Sequence, residues 1–388
     1  MARKKTPPQS PASRPWMAQA LIYPAILIVA AALRFSMLET MPPGLCFDES
    51  INGLNFMEAI QTGAWKVFYP ENNGREGLFI NLQGLFVKLQ MAFAAAPGPF
   101  HLQPWMLRFP SAVFGLLTVA GLYPLVLRLT ASRLAAAAAA LFLATSFWHV
   151  NFSRIGFRAI SAPFFLVWSL YFLISGFGQL VGPVKSRGLL KLAAAGLLYG
   201  AGFHSYIAYR ITPLVVLAVL VWLWLESPAS ASLRNRVLGL GLFAFCALLV
   251  IAPLAVYFIR HPGSFSGRSD QVSLLASNQP VRTLAGNVVK TAAMFNFAGD
   301  AFWRHNNSGK PQLVLPVGLL FLAEALLPPG PLPSLSAIGL PVVAVGGTLL
   351  AGRAVRAAKM RLTYPRSGYV SYRPTRKSRL LRGLVTGA

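Results

Sequence analysis

The chain has 388 residues, of which 55% are hydrophobic and only 12% charged, and it carries a formal charge of +25. That charged share, about half the usual one, excludes a water-soluble globular domain, and the lack of strands with alternating polarity excludes a transmembrane barrel, so helices must satisfy the backbone in lipid. The Lys and Arg gather in short loops and at both ends, as the positive-inside rule produces, so the charge reads as topology and nucleic acid is not an expected partner.

Residues 1–16 form a basic N-terminus with Arg3, Lys4, Lys5 and Arg14, expected on the cytoplasmic side. Apolar runs suited to crossing a hydrocarbon core of roughly 30 Å follow at 17–37, 106–127, 134–152, 160–180, 188–207, 211–226, 237–259, 311–327 and 333–352. No small-x-small site follows the first run, so it is expected to stay as an uncleaved span. Segment 78–96 is also apolar, but Asn81 and Lys88 share one helical face while Gln83 and Gln90 share the opposite one, so periodicity does not settle its nature. Charge counting does. If 78–96 lies along the surface, loops 128–133, 181–191 and 226–236 fall inside with Arg128, Arg133, Lys185, Arg187, Lys191, Arg234 and Arg236 against only Glu226. If it crosses, the rule is broken three times, so the segment is predicted to be a juxtamembrane helix.

The fold class that follows is all-α and polytopic, with about nine spans within 17–352, a juxtamembrane helix in the first outer loop, and a basic tail at 353–388. Segments 38–105, 153–159, 208–210 and 260–310 then face one outer side. The tail holds ten Lys or Arg and no acid, yet it ends outside if 311–327 and 333–352 both cross; the sequence does not resolve this conflict. Cys46 in an outer loop and Cys246 in mid-span imply no disulfide framework. Gly196-x-x-x-Gly200 predicts a close helix contact.

Six of the ten acids fall in one stretch: Glu39, Asp48, Glu49, Glu58, Glu71 and Glu76. Carboxylates are costly in lipid, so acids grouped just outside the bilayer mark the first place to look for chemistry. Arg75, Arg154, Arg158, Arg210 and Arg304, with Tyr206, His261, His305 and Asn306, lie where topology alone would not place them. Guanidinium forks pair bidentately with phosphate, so cations facing these acids suit a substrate with an anionic head and a lipid tail. Plainer readings stand beside this one. Span-end arginines snorkel to headgroups, and Asp48-Glu49 can simply begin a helix, where the N-terminal dipole favours acids. His149 and His204 read as packing residues.

Pro42-Pro-Gly-Leu-Cys-Phe-Asp-Glu-Ser-Ile-Asn-Gly53, Asn73-Gly-Arg-Glu-Gly-Leu-Phe79, Leu107-Arg-Phe-Pro-Ser-Ala-Val-Phe-Gly115, Phe147-Trp-His-Val-Asn-Phe-Ser-Arg154 and Trp303-Arg-His-Asn306 occur in that order. Over residues 17–327 the chain resembles the GT-C glycosyltransferases, nearest the protein mannosyltransferase and aminoarabinose transferase branch. The resemblance implies a polyprenyl-phosphate sugar as donor and a hydroxyl on a protein, lipid or glycan as acceptor. It further implies a multi-pass bacterial inner-membrane enzyme acting on the outer face, with an acidic residue of the first outer loop at Asp48 and Glu49 beside it. Where relatives often have Glu-Pro-Leu, this chain has Glu76-Gly77-Leu78, which predicts a looser turn after Glu76.

A lipid-phosphate leaving group is a stable anion and needs no general acid, unlike the leaving group in glycoside hydrolysis. One base and a set of cations then suffice. Asp48 is the expected base, Arg75, Arg154, Arg158, Arg210 and Arg304 the expected phosphate clamp, and Glu49 and Glu76 the groups orienting the acceptor or those arginines. No spaced ligand set demands a metal, although a divalent ion beside Asp48-Glu49 fits the chemistry. Two other readings stay open. One is a transporter or flippase of a lipid-linked or anionic solute, which the uncharged spans 160–180 and 237–259 disfavour. The other is an inactive relative serving as an assembly partner, which the C-terminal half, shorter than in relatives, keeps open.

Overall fold

The computed structural model describes residues 15–93, 100–180, 186–225, 232–272 and 279–326. The expected span 333–352, the basic tail 353–388 and nearly all of the basic N-terminus lie outside the described residues. Helices α1 (Pro15–Phe35) and α2 (Phe47–Thr62) precede a hairpin of β1 (Phe68–Tyr69) and β2 (Arg75–Glu76). Then come α3 (Gly77–Phe93), α4 (Pro104–Thr130), α5 (Arg133–Thr145), α6 (Phe147–Arg154), α7 (Ser161–Phe177), α8 (Ser186–Gly202), α9 (Thr212–Leu225), α10 (Leu233–Arg260), α11 (Pro262–Val272), α12 (Pro280–Asn296) and α13 (Leu315–Leu326). Short 3-10 turns at Arg158–Ile160 and Ile207–Ile211 lead into α7 and α9.

Among the described residues four helical stretches are long and apolar enough to cross a membrane: Pro104–Thr130, Arg158–Phe177, Ile207–Leu225 and Leu233–Arg260. A fifth follows if α5 and α6, bent by 54° at their junction, form one span. The sequence predicts a single run at 134–152; the structure breaks it at Ser146. Arg34 of α1 explains how the break survives burial. Its fully buried guanidinium donates to Leu143 O at 3.2 Å and Ala144 O at 3.0 Å, carbonyls that the end of α5 leaves without helical partners. The runs expected at 188–207 and 311–327 appear as α8, of 17 residues, and α13, of 12.

The core lies where α7 packs between α4 and α8, and α8 against α10, around Leu170, Leu173, Leu192, Ala195 and Phe243. Gly196 and Gly200 of α8 sit directly on the backbone carbonyls of Phe243 and Ala247 in α10, the close contact their spacing predicts. Helix α3 packs polar side chains from two faces against the protein. Asn81 accepts from Tyr69 Oη at 2.8 Å and donates to Lys66 O at 3.0 Å, while Gln83 on the other face donates to Leu107 O of α4 at 2.6 Å. Asn81 and Gln83 thus each bond to protein from opposite faces, and Leu85, Leu89 and Phe93 remain exposed.

Candidate functional site

Segments 38–105, 153–159, 208–210 and 260–310 meet around two buried glutamates. Helix α2 starts at Phe47 with Cys46 as its N-cap, and Glu49, three residues on, reaches back to accept from the Cys46 N–H at 2.7 Å. Glu49 does more than cap. Its Oε1 accepts from Arg108 Nε at 2.9 Å and from the Gly156 N–H at 3.1 Å, and its Oε2 faces Arg304 Nη1 at 3.4 Å. Arg108 continues to Leu38 O at 2.8 Å and Gly44 O at 2.6 Å, and Arg304 to Pro43 O at 3.0 Å, with Trp303 against its guanidinium. One carboxylate thus gathers the first loop, α2, α4, the turn after α6 and the last described loop, with both arginines buried.

The second cluster hangs on the hairpin. Strand β2 carries Glu76, whose Oε2 lies 3.5 Å from Arg158 Nε and whose Oε1 lies 3.6 Å from Arg210 Nη2. Both arginines come from the 3-10 turns, where the chain changes direction at the ends of α7 and α9. Arg158 lies over the ring of buried Tyr206 at 5.2 Å, and Arg210 over Phe258 and Phe265 at 5.0 and 4.7 Å. Arg210 is 22% exposed, whereas Glu76 and Arg158 are each 2% exposed. The expected looseness after Glu76 is corrected by the structure. The Gly77 N–H donates to Val67 O at 2.7 Å, closing the hairpin, and a Cβ at this position would run into the Lys66 and Val67 carbonyls. A proline could neither donate that bond nor fit there.

Asp48 stands beside both clusters in sequence and joins neither. It is half-buried at the N-terminus of α2, accepts from Asn72 Nδ2 at 2.8 Å, and forms no ion pair among the described residues. Burial, ahead of the neighbouring charges, pushes the Cys46 thiol above its usual range, so it is protonated at neutral pH. Among the described residues no three His, Cys, Asp or Glu side chains converge to hold a metal ion.

The remaining expected residues separate into supports and bystanders. Arg75 is fully buried and turned into α2, donating to Asn52 Oδ1 at 2.6 Å, to Asn55 Oδ1 and to Glu71 O at 3.2 Å, so it binds the hairpin to that helix. Arg154 stands apart from both clusters, on Leu33 O at 2.8 Å and Met41 O at 3.3 Å. His305 meets Asp300 Oδ2 at 3.3 Å and stacks near Phe157, while Asn306 closes its own loop onto Lys310 O at 2.6 Å. His261 bonds Tyr257 O at 3.0 Å and stacks on that ring. Sequence reasoning missed Arg108, Asn52, Asn55 and Asn72 as site residues. Arg108 had a readable signal, a cation just inside an apolar run, which lipid makes costly unless it is paired. The asparagines had none, because nothing local ties them to Arg75 and Asp48, which lie 20 to 24 positions away.

Residues 77–263 match the family model described as dolichyl-phosphate-mannose-protein mannosyltransferase. Among solved structures the chain is similar to the Saccharomyces cerevisiae protein O-mannosyltransferase Pmt1-Pmt2 complex bound to the sugar donor, at 20% identity and a TM-score of 0.48. That likeness covers 64% of this chain and 34% of that one, so the chain spans about a third of the yeast chain's length. No curated protein matches significantly.

Proposed function

Because residues 77–263 match the family model described as dolichyl-phosphate-mannose-protein mannosyltransferase, we propose that the chain belongs to that family and transfers a mannose-like sugar from a polyprenyl-phosphate donor to an acceptor hydroxyl at the outer face of the membrane. The observation that carries this reading is the contrast at the site: a half-buried carboxylate with no ion pair among the described residues, Asp48, tied through Asn72 to the hairpin whose Glu76 faces Arg158 and Arg210.

The acceptor hydroxyl gives its proton to Asp48 as its oxygen attacks the anomeric carbon. The bond from that carbon to the phosphate oxygen breaks, and the phosphate leaves with the electron pair. The departing group is an anion from the start, so no acid is required. Arg158, buried, and Arg210, at the edge open to solvent, hold its charge, and the interaction is strongest on the buried side. Arg304, fixed on Glu49, adds a standing positive charge, and Tyr206 keeps Arg158 in place. The lipid tail lies along the exposed apolar faces of the spans and supplies binding energy far from the reacting carbon.

The test is transfer by purified protein from a radiolabelled lipid-phosphate mannose to a Ser/Thr peptide. Asp48→Asn should slow turnover by about 10²–10⁴-fold, the usual worth of a positioned base, without lowering thermal stability. Near-normal transfer by this variant would remove Asp48 as the base. Movement of the labelled lipid across the bilayer with no new glycosidic bond would make the chain a flippase instead.

A further inference from the structure

The hairpin linking β1 and β2 turns through three consecutive residues in the left-handed region: Asn72 at φ 54°, Asn73 at 64° and Gly74 at 79°. Side chains other than Asn and Asp enter this region at a cost, which limits what the turn can carry. Backbone bonds close the turn from both sides, Gly74 N to Pro70 O at 3.1 Å and Gly77 N to Val67 O at 2.7 Å. The shape so fixed carries the Asn72 amide to Asp48, 24 positions earlier, with Nδ2 2.8 Å from Oδ1. A carboxylate accepts only, so the amide must present its NH2 group here. The same short unit binds α2 through Arg75 and sets Glu76 against Arg158 and Arg210.

One closed hairpin therefore touches the carboxylate, the helix that carries it and the arginines. We infer that Asn72 is a positioning residue: its amide occupies Oδ1 of Asp48 and leaves Oδ2 to take the acceptor's proton, while the hairpin sets how far that oxygen stands from the guanidinium pair. This inference rests on Asp48 being the base. It assigns the unusual turn a purpose that the fold alone does not require, since Arg75 and Gly77 already anchor the hairpin.

Asn72→Gly keeps the left-handed backbone and removes the amide. Asn72→Asp keeps both the backbone tolerance and the side-chain shape but puts an acceptor against an acceptor. Asn73→Gly relaxes the same turn without touching Asp48. In the transfer assay with the full chain, both Asn72 variants should lose kcat on the order of 10- to 100-fold, the scale of an ångström misplacement, with donor KM within about twofold of wild type and an unchanged melting temperature. Asn73→Gly should behave as wild type. The inference is overturned if the Asn72 variants keep wild-type kcat, if they raise donor KM instead, or if Asn73→Gly loses kcat equally. Asp48→Asn run in parallel separates the two failures. An active Asp48→Asn protein ends the assignment of the base, and an inactive one beside normal Asn72 variants ends only the role of Asn72.

Discussion

Two glutamates each face two arginines in this molecule, and they are built differently. Glu49 has contacts at 2.7 to 3.4 Å from two guanidiniums and two backbone N–H groups, which together occupy both of its oxygens. Glu76 holds Arg158 and Arg210 at 3.5 and 3.6 Å, and its Oε2 has no hydrogen bond among the described residues. A buried charge is tolerable when pairing and hydrogen bonding compensate its desolvation, and Glu49 meets that condition from four directions. Glu76 meets it loosely, and Arg210 beside it reaches solvent. In each cluster one negative charge faces two positive ones. The first has committed its surplus to the scaffold, binding the loop before α2 to the loop around Arg304. In the second the carboxylate stands farther from its arginines, and this is where the proposed donor phosphate would bind.

The largest expected effect that could break this contrast is on stability. Glu49→Gln leaves Arg108 and Arg304 buried beside a neutral amide and should cost about 3–5 kcal/mol, the penalty for stranding a buried charge. Glu76→Gln should cost less than half as much, read as melting of the detergent-solubilised protein. Equal losses would mean that the two clusters do the same job. Arg210→Gln comes next. It should raise donor KM by about tenfold, as expected for one charge-assisted contact of roughly 1.5 kcal/mol, with melting close to wild type. An unchanged donor KM would take the second cluster out of donor binding. The smallest effect is chemical. The raised Cys46 thiol beside Glu49 should react slowly with a soluble maleimide at neutral pH and faster only as pH climbs past the ordinary thiol range. Quick labelling at neutral pH would show that the first cluster opens to water.

Much of the architecture is legible in one dimension. Hydropathy marks α4, α7, α9 and α10, and counting basic residues in the loops groups the four segments that supply Glu49, Glu76, Arg158, Arg210 and Arg304. The break at Ser146 escapes that reading, because hydropathy sums over the whole run and the group that satisfies the freed carbonyls, Arg34, sits on another helix. The turn after Glu76 escapes it in the other direction. Glycine read locally means freedom, whereas here it is the residue whose N–H and lack of a side chain let the hairpin close on Val67.

The chain by itself determined a helical membrane protein, the acids of its first loop and the arginines available to them. Only the tertiary structure decided which carboxylate meets which guanidinium: Glu49 with Arg108 and with Arg304, 255 positions away, and Glu76 with Arg158 and Arg210. Hydropathy and loop charge are sums over neighbours in sequence. The strength of an ion pair depends on separation and burial in three dimensions, which no local sum contains.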